Sequence, residues 1–95
     1  MERVADDFTV QVINKFVALT GRMAAAPEDY KQAMEWEATG MPVVIVLKTL
    51  ETWTDKNKTQ PWLRDAPLEW VKPWVLEAFY NWRRAIGPQY EKRLM

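Results

Sequence analysis

The sequence has no cysteine, no histidine and no serine among its 95 residues, and only three glycines. Without cysteine there is neither a disulfide framework nor a thiolate metal site, so the fold must rest on ordinary burial of apolar surface. Without histidine and serine, Ser-His and Cys-His nucleophile pairs and histidine–metal chemistry are excluded by residue type. Carboxylate, lysine, tyrosine, arginine and threonine chemistry is what remains. The glycines, Gly21, Gly40 and Gly87, stand singly, so no phosphate-cradling loop is present. No apolar run approaches the roughly 20 residues that cross a bilayer. The best of them, Met41 to Leu47, ends at Lys48. The opening Met-Glu-Arg-Val-Ala-Asp-Asp lacks the basic start and apolar stretch of a signal peptide, which leads to the expectation of a cytoplasmic protein.

What is present belongs to a globular chain. Hydrophobic residues make up 48% and charged residues 27%, far from the composition of disorder, and the length suits one domain, 1–95. Net charge is zero but unevenly placed. Residues 1 to 47 hold four basic against seven acidic side chains, and residues 48 to 95 hold nine against six. The second half therefore offers the more anion-facing surface, although a solvated scatter of charges gives the same imbalance.

Apolar periodicity divides the chain into helices. From Val4 to Thr20, Phe8, Val12, Phe16 and Leu19 recur at helical spacing, with Ile13 and Val17 widening the stripe and Gly21 placed to close it. Pro27-Glu28-Asp29 reads as a helix start, a first-turn proline followed by two acids that suit the helix dipole. That helix is expected to reach Thr39, with Tyr30, Ala33, Met34 and Ala38 inward, Trp36 elsewhere on the wheel, and Gly40 terminating it. After Pro42, the run Val43-Val44-Ile45-Val46 has strand propensity, but Val43, Val46, Leu47, Leu50 and Trp53 continue at helical spacing and a lone strand would lack a partner. A central, most buried helix is expected there, with Lys48, Thr49, Glu51, Thr52 and Asp55 on its other side. Asp55 to Pro67 reads as a long loop carrying Lys56, Lys58, Trp62 and Arg64. Pro67 to Val71 forms a short turn, Pro73 opens a last helix with Val75, Ala78, Phe79, Trp82 and Ile86 inward, and Gly87-Pro88 is expected to end it near Ile86. The fold class is all-α, a compact bundle of four to five short helices.

The succession Phe16, Leu19-Thr20-Gly21-Arg22, Pro27-Glu28-Asp29-Tyr30, Trp36, Gly40 to Leu47, then Leu68, Trp70-Val71, Pro73, Val75, Ala78-Phe79 and Trp82 resembles small bacterial helical proteins of unassigned role. More distantly, Trp36 to Gly87 is similar to the C-terminal domain of the DnaD replication-initiation family. In that family the final helix and the segment after it contribute to DNA binding. The resemblance implies such a role for Asn81, Trp82, Arg83 and Arg84, with the tail Tyr90 to Arg93.

Six tryptophans cannot all enter one small core. Trp53 and Trp82 are expected inside, whereas Trp62, Trp70 and Trp74 are either a contact surface or covers over the ends of the bundle. The cations Lys56, Lys58, Arg64, Lys72, Arg83, Arg84, Lys92 and Arg93, interleaved with aromatics, form the constellation compatible with nucleic acid, since cations neutralise phosphates and rings stack on bases. The bland alternative is a solvated surface. The acidic pairs Asp6/Asp7, Glu28/Asp29 and Glu35/Glu37 have no calcium-loop pattern, and neighbours in a helix point apart. No metal, cofactor or catalytic residue is expected. Two functions follow as expectations, a non-catalytic nucleic-acid-associated accessory module of replication or mobile-element type, and a protein–protein adaptor, phage-type inhibitor or small subunit of a nucleoprotein assembly. The partner is DNA, RNA or protein, self-association is open, and no membrane is involved.

Overall fold

A computed structural model describes the backbone of residues 7–94 and the side chains as far as residue 85. Among the described residues there are four α-helices, α1 (Phe8–Thr20), α2 (Pro27–Ala38), α3 (Val43–Lys56) and α4 (Lys72–Leu94), with two 3-10 turns, Leu63–Asp65 and Leu68–Val71, between α3 and α4. There is no strand among the described residues, so the β-branched run of α3 is helical, as its spacing predicts.

Helix α1 begins where the Asp7 side chain accepts the Thr9 amide at 2.9 Å, and ends at Gly21, whose φ of 76° is the left-handed value that closes a helix. Its expected first turn, Val4 to Asp6, lies outside the described residues. Val12, Ile13 and Phe16 are buried, while Phe8, Val17 and Leu19 flank them half-buried. α1 packs on both α2 and α3; α3 also meets α4 and the Leu68–Val71 turn. This places α3 in the middle, burying Val46, Leu50 and Trp53. Thr49, expected outside, is buried as well, because its hydroxyl is satisfied by the Ile45 carbonyl at 2.7 Å and its methyl can then pack.

Helix α2 is rotated from the expected face. Tyr30 and Met34 are 43% and 50% exposed and Ala38 is exposed, whereas Asp29, Gln32, Ala33 and Trp36 are buried. The reason is a polar clasp. Asp29, almost wholly buried, accepts the Ala26 amide at 3.0 Å and the Leu68 amide at 2.9 Å. Arg22 donates from Nε to the Thr20 hydroxyl at 2.8 Å and from Nη2 to the Leu63 and Ala66 carbonyls at 3.0 and 2.6 Å. Its guanidinium also lies 4.2 Å from the centre of the Phe16 ring. Turning Asp29 inward brings Trp36, seven residues on, onto the same face and into the core.

The segment between α3 and α4 is therefore more than a surface loop. Leu63, Ala66, Leu68 and Val71 are buried side chains that fill the core, held at their backbone by Arg22 and Asp29. After Val71, α4 buries Val75 and half-buries Phe79, and then Tyr80 to Ala85 are all exposed. Trp82, expected in the core, is 38% exposed and stacks on Phe79 with centroids 6.0 Å apart. A helix of 23 residues is about 34 Å long at 1.5 Å per residue, longer than the elements it packs on, so its inward stripe outruns the core. α4 also runs on to Leu94 instead of stopping at Gly87-Pro88. An interior proline costs about 3 kcal/mol through one lost hydrogen bond and a clash, a local penalty that Pro88 imposes without ending the helix. Ile86, expected on the inner face, lies outside the described side chains.

Candidate partner-binding groove

The clasp fixes the chain between Trp62 and Trp70, at Leu63, Ala66 and Leu68, and so helps set where these two rings stand. Trp53, on the last turns of α3, lies 6.1 Å from Trp62 between ring centres. Trp62 in turn meets Trp70 at 5.4 Å with the planes 65° apart, an edge-to-face arrangement favoured by the ring quadrupoles. Trp74 follows one helical turn after Trp70. These four rings, with Asn57, Glu69 and Pro73, line an open groove of about 590 Å³. Trp53 is buried and forms the floor. Trp70 and Trp74 are 52% and 37% exposed and form the wall. Trp62, Trp70 and Trp74, expected either on a contact surface or over the ends of the bundle, thus line one contiguous feature.

The cations do not gather in the same way. Lys56 stands beside Trp74, its Nζ 5.7 Å from the centre of that ring. Lys58 pairs with Asp55 at 3.6 Å, three residues earlier on the chain. Lys72 reaches α2 and pairs with Glu35 at 3.5 Å. Arg64 lines a separate hollow with Gly21, Arg22, Met23 and Asp65. On α4, Arg83 lies over Phe79 at 5.7 Å, and Arg84 donates to the Asn81 side chain at 2.6 Å. Arg93 and Lys92 lie outside the described side chains. One of the expected cations, Lys56, therefore adjoins a ring of the groove without lining it, and Lys58, Arg64, Lys72, Arg83 and Arg84 each have their own surroundings.

Sequence reasoning missed Glu69 and Asn57 as groove residues, and Arg22 and Asp29 as its supports. Glu69 adjoins Trp70 in sequence, but nothing in its type announces a site. Arg22 follows a left-handed glycine and Asp29 sits in the first turn of a helix, positions explained without any tertiary role.

Burial lowers the Arg22 pKa from its ordinary value, with Asp29 and Asp65 acting in the opposite sense, and an arginine so placed stays charged. Among the described residues there is no group of three or more carboxylates placed to hold a metal ion, and no helix long and apolar enough to cross a membrane. Comparison with known proteins finds no matching family model, no matching curated protein and no matching solved structure. None of these comparisons bears on the likeness to the DnaD C-terminal domain.

Proposed function

We propose that the chain is a non-catalytic binding module that takes a protein partner on the tryptophan groove. One observation carries this reading: Trp62, Trp70 and Trp74 converge on one open surface over a buried Trp53, with Trp70 and Trp74 left accessible. Large aromatic rings anchor protein interfaces because they bury much apolar area for little loss of side-chain entropy. Exposed tryptophan in a chain with an otherwise filled core is best accounted for by a partner that covers it.

A second reading, the nucleic-acid-associated accessory module of replication or mobile-element type, is supported by Lys56 beside Trp74, a cation next to a stacking platform. The dispersal of the other cations makes it the weaker of the two.

A photo-crosslinking amino acid placed at Trp70, with a control at exposed Asn14 on α1, tests both in the native host. A discrete protein adduct formed from position 70, absent from position 14 and lost on Trp74→Ala, supports the adaptor reading. A nuclease-sensitive adduct from position 70 supports the nucleic-acid reading. No adduct from position 70, or the same adducts from both positions, overturns the groove as the site.

A further inference from the structure

The chemistry lining the groove selects among protein partners. Glu69 is the carboxylate of the groove, and it has no ion pair or hydrogen bond with any described group. Glu69 also borders a second hollow, with Lys31 and Lys72, and two of the surrounding cations are engaged elsewhere. Lys72 is held by Glu35 at 3.5 Å, and Lys56 lies on the Trp74 ring. Asn57 donates its amide N–H to the Trp53 carbonyl at 2.8 Å, which leaves its Oδ1 as a second acceptor in the lining. Three exposed or half-exposed indoles add the negative faces of their ring quadrupoles. A free carboxylate, a free acceptor and electron-rich rings in one hollow make an electronegative surface with apolar walls.

Building on the adaptor reading, we infer that the groove takes an arginine-bearing segment of the partner protein, a guanidinium laid on the Trp70 indole with its charge against Glu69. An anionic segment would set like charge against Glu69 and against the ring faces. A wholly apolar segment would strip water from Glu69 and leave it unpaired, at a cost of several kcal/mol. A guanidinium meets every group present: it is planar, weakly hydrated, stacks on aromatic faces and donates in a fork that fits a carboxylate and an amide oxygen. Lys56 over Trp74 is an internal instance of the same contact between cation and indole.

The test is a titration of the ¹⁵N-labelled protein at low salt, read at the tryptophan indole N–H signals in two-dimensional NMR. The probes are a blocked alanine peptide bearing two arginines and its counterpart with two citrullines, which keeps the shape and removes the charge. The arginine peptide moves the Trp62 and Trp70 indole signals and binds roughly three- to tenfold more tightly than the citrulline peptide. Glu69→Gln erases that preference while leaving the remaining spectrum in place. Lys56→Ala strengthens arginine binding about two- to threefold by removing a competing cation. Equal binding of the two peptides overturns the inference, and the adaptor reading then stands or falls on its own crosslinks. Indole shifts with neither peptide, or weaker arginine binding on Lys56→Ala, overturn it too.

Discussion

Arg22 Nη1 lies 3.7 Å from Asp29 Oδ2, and both side chains are nearly closed off from water. Between them they hold four backbone groups, the Ala26 amide ahead of α2 and, between Trp62 and Trp70, the Leu68 amide and the Leu63 and Ala66 carbonyls. A buried ion pair adds little over a well-packed apolar substitute, yet losing one partner strands the other charge. Stability and the shape of the groove therefore depend on the same two residues.

Arg22→Ala is expected to lower unfolding free energy by about 3 kcal/mol, with Asp29→Ala comparable, because each leaves a buried charge unpaired and takes a hydrogen-bond partner from two backbone groups. The double variant should lose clearly less than the two single losses added together, since the pair acts as one unit. Urea denaturation of the three variants measures this, and additive losses would show that the clasp is not cooperative.

Trp36 and Trp82, two of the six tryptophans, differ in fate, one almost wholly buried and one 38% exposed. Trp36→Ala should cost about 3–5 kcal/mol. Trp36→Phe should cost less, because the Trp36 indole N–H has no hydrogen-bond partner to lose. Trp82→Ala should stay within about 1 kcal/mol, as its main contact is a stack on Phe79 at the margin of the core. A Trp82→Ala loss as large as that of Trp36→Ala would place Trp82 in the core after all.

Lys15 and Glu51 form a 2.5 Å ion pair that ties α1 to α3, and the hydrogen bond and charge of Lys15 hold the Glu51 carboxyl below its ordinary range. A carboxyl depressed in the folded state adds stability above its unfolded value, and that stability is lost as the pH falls through the folded one. Wild-type protein should therefore melt slightly above Glu51→Gln at neutral pH, with the gap closing once the pH drops below the usual glutamate range and shrinking in high salt. A gap that widens on acidification contradicts this.

Gly21 adopts φ 76°, and a Cβ added there meets nothing within 4 Å. Gly21→Ala should therefore cost only the left-handed backbone penalty, about 1 kcal/mol, with no packing change. A calorimetric loss several times larger would point to a contact at this helix end.

The first three helices were legible in the sequence because apolar spacing, prolines and glycines agree on them, and even the β-branched run of α3 follows from its spacing, whereas Gly87-Pro88 signalled an end that α4 runs through. Two things were hidden. The inward face of α2 is chosen by Asp29, a polar residue whose partners Arg22 and Leu68 are distant in sequence, so a hydrophobic count turns the wheel towards Tyr30 and Met34. The reach of α4 past the core was hidden because periodicity reports which side of a helix is apolar, not whether anything lies opposite it. For the groove, Trp62, Trp70 and Trp74 were visible as excess aromatics. Their meeting with Glu69 depends on how the 57–71 segment folds back, which spacing alone does not reveal.

That fold-back has a practical consequence for handling the protein. With Leu63, Ala66, Leu68 and Val71 as plugs, the stretch from Asn57 to Val71 is a poor place to splice in a tag, and trypsin should spare Arg64 while the domain is intact. Affinity handles and first cleavages belong instead around Arg83 and Arg84 on α4, which are exposed.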